Sequence, residues 1–513
     1  MDGSGVETLE ASVPAVAVDP DLLRSGRLAG MTMWRAIFVL AWPVIIESIL
    51  NATVGLVDTT MAAGISSEAT DAIGGMAYVL WATAMLGIAL GVGATAMVSR
   101  SVGKKRFAVA NAAIGQCTLV ASVGGTVMGA FFFATAPWFA SMMSLKGQAG
   151  ELAVGYLRVC AVGVPAMTLI EALNSSIRGG GDSMRPMLVM MLVNAVNAGF
   201  TFLLSGVDLA VSSLDAAGEL HRTVLVRNPF HDHNFGVNGI AAGTTIAWLL
   251  GAGLLVWSLS RSEASHGLKL TVRRMRPHWH TINRLLRVGV PNFLETLGMW
   301  FGNFVAILMV GWLHHPGLLG AHIVAARIEA FSYMPGFAMS LAAGTLVGQY
   351  LGSGRPASAK KAAVRCCAVA GAFMGLMGLV FIVFPSLVVG LFTQQKEHLE
   401  IVPQLLRITG VVQIPFALAI VLRGVLRGAG DTRAAMWITW VSTYLIRLPL
   451  AWLCCGVDIP LPDGHVIPNP APLRSLHIEG LPGFWVGLCS EILLRAALFA
   501  LVTMQGKWQR ARV

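Results

Sequence analysis

Twelve long apolar runs dictate what this chain can become. They lie near 36–58, 72–99, 108–136, 150–173, 187–207, 237–260, 288–312, 319–349, 363–389, 401–422, 434–455 and 484–505, with short polar breaks between most of them. Each is close to the roughly 20 residues a helix needs to cross a bilayer. Hydrocarbon offers no water to satisfy backbone N–H and C=O groups, so a crossing segment is either a helix or a strand of a closed barrel. Barrel strands alternate apolar and polar residues, whereas these runs are continuously apolar. Composition agrees: 12% of the residues are charged, against about 25% in a soluble protein. The chain is expected to be an all-α polytopic membrane protein with no soluble domain.

Charge placement gives an expected orientation. With the amino terminus inside, the inner segments hold 26 of the 36 Lys and Arg. The outer loops hold five (Lys146, Arg222, Arg227, Lys396, Arg474), and the spans five (Arg158, Arg327, Arg407, Arg447, Arg495). This bias puts both termini in the cytoplasm, in a cell membrane. It also accounts for the net charge of +10 without nucleic acid, because the basic residues are spread over every inner loop. Residues 1–35, with five acids and with Pro14 and Pro20, are expected to be a disordered cytoplasmic tail and, lacking a basic start before an apolar run, no secretory signal. Residues 506–513 form a second tail, and the outer loops near 208–236 and 456–483 carry no domain signature.

The chain also repeats itself at long period. Pro43-Val-Ile-Ile-Glu47 recurs as Pro291-Asn-Phe-Leu-Glu295, an offset of 248. Gly103 with Arg106 recurs as Gly352 with Arg355, Leu157-Arg158 as Leu406-Arg407, and Arg178-Gly-Gly-Gly-Asp182 as Arg427-Gly-Ala-Gly-Asp431, all at 249. Two homologous six-helix lobes, 36–260 and 288–505, follow, joined by a basic linker, 261–287, suited to the anionic inner leaflet. An even number of spans starts both lobes on one side, the parallel-repeat plan of secondary transporters whose lobes rock about a midplane site. No G-x-x-x-x-G-K-[ST] phosphate loop is present, so energy is expected from an ion gradient, and no cofactor is expected.

Several motifs are recognisable together. They are Gly55-Leu-Val-Asp58-Thr-Thr-Met-Ala-Ala-Gly64, Ala321-His-Ile-Val-Ala-Ala-Arg327-Ile-Glu329, Gly344-Thr-Leu-Val-Gly-Gln349-Tyr-Leu-Gly352, the two Arg-Gly-x-Gly-Asp loops, and Leu445-Ile-Arg447-Leu-Pro449-Leu-Ala451. In these the sequence resembles the multidrug and toxic compound extrusion (MATE) family over about residues 36–505. The resemblance implies a V-shaped, twelve-helix antiporter that exports small cationic compounds in exchange for H+ or Na+. It implies that Asp58 couples the ion, with Asn194 and Asn197 of the fifth span beside it. Four residues beyond Asn197, where many relatives carry a third amide or acid, stands Thr201, and the seventh-span glutamate of sodium-type relatives is replaced by Trp300. The chain is expected to act as a monomer, with cationic small molecules and the lipid bilayer as its partners.

Carboxylates inside spans cost a few kcal/mol each to insert, so each is a functional candidate. Asp58 is either the coupling group or a polar residue at a helix end. Glu47 and Glu295, related by the repeat, either face the shared cleft, suited to a cation, or hold pseudo-symmetric salt bridges with arginines near the inner ends. Glu171 and Glu329 have structural and substrate readings alike; Glu329 does not pair with Arg327, because residues two apart face different sides of a helix. Asn194 and Asn197 share a helix face and serve as helix glue or ion contacts. Trp81, Trp300, Phe301 and Met334 are candidate cleft walls, since cation–π contact and soft thioethers suit varied cations; packing or lipid contact is the alternative.

The glycine loops are expected to be turns in which Asp182 and Asp431 cap the next helix, and Pro335 and Pro415 to kink theirs. His231-Asp-His233 and His278-Trp-His280 offer only two ligands each, too few for a metal site. Seven cysteines in or beside spans suggest no disulfide framework, and the sequon Asn51-Ala-Thr53 lies within a span. No catalytic constellation appears in the spans, so an enzyme is not expected. The alternative function is a flippase of lipid-linked saccharides from the same wider superfamily, which predicts an arginine-rich cavity to meet phosphates.

Overall fold

The structure, a computed structural model, describes residues 21–23, 25–214, 220–230, 235–261, 267–313, 317–393, 395–460, 465–470 and 479–511. The first lobe comprises α1 (Met33–Ile65), α2 (Ser67–Gly103), α3 (Phe107–Met142), α4 (Gly147–Gly179), α5 (Met184–Ser205) and α6 (Gly236–Ser260), with a hairpin of β1 (Leu209–Leu214) and β2 (Leu220–Val226) before α6. The second comprises α7 (Trp279–Gly311), α8 (Leu318–Gly352), α9 (Pro356–Val383), the short α10 (Pro385–Gly390), α11 (Lys396–Val411), α12 (Gln413–Ala429), α13 (Thr432–Trp440), α14 (Leu448–Cys455) and α15 (Gly480–Met504). Strands β3 (Ile459–Pro460) and β4 (Val466–Ile467) form a second hairpin before α15. Among the described residues eleven spans are continuous, and the bent pair α11–α12 makes a twelfth.

The bend of 59° at Val412 has a cause in the sequence. Pro415 has no N–H and its ring collides with the carbonyl four residues back, that of Val411, so the helix ends there and restarts. Val412 N (3.1 Å) and Gln413 Nε2 (3.3 Å) both donate to Thr409 O at the break. Pro335, expected to act likewise, sits within the uninterrupted α8.

Many helices are longer than the apolar runs. With 37 residues, α2 is about 55 Å long at 1.5 Å per residue, well beyond a hydrocarbon core of about 30 Å. Its last turn carries Arg100 past the end of the apolar run.

The lobes meet at the end of the bundle that holds the described parts of both chain termini. The first turns of α1 (Met33, Ala36, Ile37, Leu40) belong to a core otherwise built by the second lobe, and Leu285 of α7 belongs to a core of the first. Gly103 and Gly352, repeat mates, make the approach possible: a Cβ on Gly103 would stand 2.1 Å from Gln349 O, and one on Gly352 2.2 Å from Arg100 O. Arg100 donates to Ala429 O (2.9 Å) and Ala511 O (2.6 Å), and Thr345 Oγ1 to Arg178 O (3.1 Å).

Two expectations are corrected at this face. The tail is not structureless up to residue 35: Leu23 and Leu28 are buried, and residues 21, 22, 25 and 27 touch the two lobes between them. Among these described residues (21–23 and 25–27), Tyr350 Oη donates to Asp21 O (2.6 Å) and Arg355 to Leu22 O (2.8 Å) on one side; Ser25 Oγ donates to Val102 O (2.5 Å) and Arg27 pairs with Asp182 on the other. Residues 1–20 lie outside the described residues. The linker also ends earlier than expected, since α7 begins at Trp279, and it is pinned to α3 by Gln116 Nε2 to Arg274 O (2.7 Å) and Arg276 O (2.8 Å).

The two outer hairpins, featureless in sequence, are a matched pair. Gly206 and Gly456 end α5 and α14 in the left-handed region (φ +70° and +71°). Asp208 Oδ1 accepts from Asn228 N, and Asp458 Oδ1 from Asn469 N, both at 2.7 Å. Gly206 and Gly456, like Asp208 and Asp458, are 250 apart, one more than the offset at the Arg-Gly-x-Gly-Asp loops. The extra residue is taken up by a π-helical turn, Val441–Arg447, between α13 and α14.

Candidate functional site

In the first lobe, α1 supplies Asp58 and α5 supplies Asn194, Asn197 and Thr201. Asn197 is buried and donates to Thr244 Oγ1 of α6 (2.9 Å). Thr201 stands beside the Asp58 carboxylate, one turn along the same face of α5 from Asn197. Asp58 Oδ1, Asn197 Oδ1 and Thr201 Oγ1 are all enclosed and none has an aligned hydrogen-bond partner among the described residues. Buried polar atoms are nearly always satisfied; these three oxygens lie on facing helices with the Thr201 hydroxyl against Asp58. Asn194 lies outside this set and donates to Asn51 Oδ1 of α1 (3.0 Å).

Of their two readings, Glu47 and Glu295 take the salt bridge with an arginine and not the substrate cleft. Glu47 accepts from Arg178 Nη2 at 2.6 and 2.5 Å. Glu295, fully buried, accepts from Arg427 Nη2 (3.0 Å) and Nε (3.3 Å) through Oε2 and from Thr439 through Oε1 (3.0 Å). Each pair joins repeat-related residues within one lobe, and both carboxylates are consumed by it. Glu171 packs on α2, where a Cβ at Gly87 would stand 2.6 Å from its own. In the loops, Gly181 and Gly430 adopt φ of +95° and +85°. Asp182 Oδ1 then accepts from Met184 N and Arg185 N, and Asp431 Oδ1 from Ala434 N.

A cavity of about 550 Å³ opens in the second lobe. Of the sequence candidates, Trp81 and Glu329 line it; Trp300, Phe301, Met334 and Glu171 do not. Trp300 instead stacks on Phe304 (centroids 6.2 Å apart), and Phe301 is half exposed on the same helix. The cavity also holds Arg423, Arg447, Glu491 and Arg495, from α12, the π-turn and α15. Arg495 pairs with Glu491 (2.6 Å) and reaches Ser442 (3.0 Å) and Thr443 (3.2 Å). Arg447 Nη1 donates to Asn303 Oδ1 (2.9 Å), Arg423 Nη1 points at Met299 Sδ (3.2 Å), and Glu329 accepts from Thr409 Oγ1.

Arg423 was counted with the inner loops because the apolar run stops there, yet α12 continues to Ala429 and carries it into the lobe. The repeat was the signal that reveals the rest. Counting from Pro43 and Pro291, Asp58 corresponds to Ala306; counting back nine residues from Gly206 and Gly456, Asn197 corresponds to Arg447. The same site therefore has opposite polarity in the two lobes.

No group of three or more His, Cys, Asp or Glu converges as a metal site among the described residues. His278 caps α7 by accepting from Thr281 N, and His231 and His233 lie outside the described residues. All seven cysteines are free thiols.

The MatE family model matches residues 43–203 and again 291–453, so the match itself starts at an offset of 248 and ends at 250. The chain belongs to the MATE family. Its fold is that family's two-lobe fold, and it is a transporter rather than an enzyme. It is similar to a probable multidrug resistance protein NorM of Thermotoga maritima, 25% identical over 479 residues that cover 92% of this chain and 93% of the relative. The multidrug resistance protein MdtK of Yersinia pestis is 24% identical over 470 residues, covering 91% and 94%. A crystal structure of a MATE in complex with MaL6 superposes with a TM-score of 0.80 at 19% identity, covering 96% of this chain and 99% of that one.

Proposed function

We propose that this chain is a secondary active multidrug exporter of the cell membrane, carrying small cationic amphiphiles outward against an inward flow of protons, or of Na+, by alternating access of its two lobes. The names of the NorM and MdtK relatives support a multidrug cargo. The observation that carries the coupling reading is the trio of orphan oxygens on Asp58, Asn197 and Thr201. A proton on Asp58 gives that carboxyl a donor for a neighbouring oxygen, and its loss returns the charge that a cation or a conformational change answers. Protons are the leading coupling ion because Trp300 stands where sodium-type relatives carry a glutamate; Thr201 itself favours neither ion. Both termini sit in the cytoplasm, as the 26 inner basic residues suggest, so the lobes are shut at their cytoplasmic ends and the protein faces outward. One monomer suffices, since each site lies within one chain.

The test is efflux of ethidium from everted vesicles and from proteoliposomes, with pH and Na+ gradients imposed separately. Asp58→Asn is expected to abolish gradient-driven transport while the protein still inserts and binds ethidium. Full efflux by that variant, or efflux indifferent to both gradients in the wild type, would sink the reading.

A further inference from the structure

We propose that the cavity of the second lobe binds an anionic head group, a carboxylate or a phosphate, on an amphiphilic ligand. Charge accounting leads there first. Five ionisable carboxylate and guanidinium side chains line the cavity: Glu329, Glu491, Arg423, Arg447 and Arg495. Glu491 and Arg495 neutralise each other at 2.6 Å. What remains lining the cavity is one acid, Glu329, against two guanidiniums; Arg447 feels Glu491 and Glu329 and Arg423 feels Glu295 electrostatically, but among the described residues neither arginine makes an ion pair within 4 Å. Their contacts are a thioether and an amide, Met299 Sδ and Asn303 Oδ1, and Arg447 Nε is enclosed with no partner at all. Each guanidinium carries five N–H donors, so most of their bonding capacity is unspent. Basic groups inside a membrane protein face a partner or a water-filled path, and here they line a cavity.

The rest of the wall suits the tail of such a ligand. Trp81, Tyr333, Phe337 and Phe416 are aromatic, and the volume of about 550 Å³ falls inside the roughly 300–1,000 Å³ of small-molecule sites. The repeat shows that this polarity is a property of the lobe and not of the helix arrangement. At equivalent positions the first lobe has Asp58 and Asn197 where the second has Ala306 and Arg447. The α6 and α15 helices align through Gly243 and Gly487, which approach Thr201 and Ala451, so Ala247 and Gly251 correspond to Glu491 and Arg495. An apolar pair has become a charged one that also holds the π-turn through Ser442 and Thr443. Planar guanidiniums recognise carboxylate and phosphate oxygens two at a time, which a cation-only site would repel.

The experiment uses purified full-length protein in phosphatidylcholine nanodiscs without any ion gradient, so failure of the coupling reading leaves it untouched. Dansyl-aminoundecanoic acid is titrated against its methyl ester. The acid is expected to bind tighter than the ester. Its Kd should rise roughly tenfold to hundredfold in Arg423→Gln and in Arg447→Gln, and less in Arg447→Lys, which keeps the charge and tests the site should the glutamine variant misfold. Arg158→Gln, outside the cavity, should bind as wild type. Displacement by a short-chain lysophosphatidic acid but not by decanoate assigns the head group to a lipid phosphate, as a saccharide-lipid flippase would have it; the reverse assigns it to a free carboxylate, and either supports the site. Equal binding of acid and ester, or wild-type acid binding by folded glutamine variants, overturns it.

Discussion

Replacing Glu295 by Gln should destabilise the protein without changing what its cleft recognises. The carboxylate is completely enclosed and accepts two hydrogen bonds from Arg427 and one from Thr439. Gln keeps the shape but removes the charge, leaving the mostly buried Arg427 guanidinium without a counter-ion. Breaking one side of a buried ion pair costs about 3–5 kcal/mol, whereas replacing both partners by apolar residues is often neutral. Domains of 150–250 residues lose about 2–4 °C of Tm per kcal/mol, and longer chains less. A fall of roughly 5–10 °C follows for Glu295→Gln, with most of it regained in the Glu295→Met/Arg427→Met double variant. Tryptophan-fluorescence melting of detergent-solubilised protein measures this, alongside the KM for ethidium in proteoliposomes. A variant that melts within a degree of wild type but has a greatly raised KM would place Glu295 in the cleft and refute the reasoning.

Two further outcomes concern the inner closure. A Cβ at Gly348 would stand 1.9 Å from Ser99 Oγ, and overpacking of this kind costs about 1–3 kcal/mol. Gly348→Val should shift the closed-to-open ratio at that end roughly 5- to 150-fold toward open, seen as longer distances between spin labels attached through Lys104→Cys and Ser353→Cys; an unchanged distribution would mean the contact is not part of the gate. Arg27→Glu sets a like charge against Asp182 and should loosen residues 21–31, whose Gly30 N donates to Leu23 O (2.9 Å). Hydrogen exchange there should accelerate roughly tenfold, and unchanged protection would show that the C-terminal-lobe contacts hold the strap alone.

What the sequence could reveal followed from which signals are one-dimensional. Span number and the two-lobe plan were legible, because apolar run length and a repeat offset are properties of the string itself. Helix ends were not, because Arg100, Arg178 and Arg423 stop an apolar run while the helix runs on past its end or into the lobe. Glu47 and Glu295 were visible as a symmetric pair, but whether each turns to the cleft or to an arginine depends on helix rotation, which span assignment does not fix. The cavity stayed hidden for a related reason: its charges come from α8, α12, the π-turn and α15, and no stretch of sequence contains more than one part of it. At Thr201 the departure from the family pattern was legible, but not that its hydroxyl would lie against Asp58.

The offset between the halves, 248 at the first helix, 249 at the glycine loop and 250 at the outer hairpin, carries a mechanical argument. A helix turns by about 100° per residue, so if the segment were α-helical throughout, Ile446, 15 residues after Asp431, and not Arg447, would stand where Asn197 stands 15 residues after Asp182 in the first lobe. The π-turn absorbs the extra residue inside the membrane, where such turns are usually found at functional sites, and Arg495 holds it open through Ser442 and Thr443. The π-turn thus brings Arg447, nine residues before Gly456, to the position that Asn197 holds nine residues before Gly206. On the proposed assignments the coupling ion and an anionic head group then share no side chain, each being held in its own lobe. They can influence one another only through the relative motion of the lobes, and that motion is limited where Gly103 and Gly352 let α2 and α8 touch backbone to backbone.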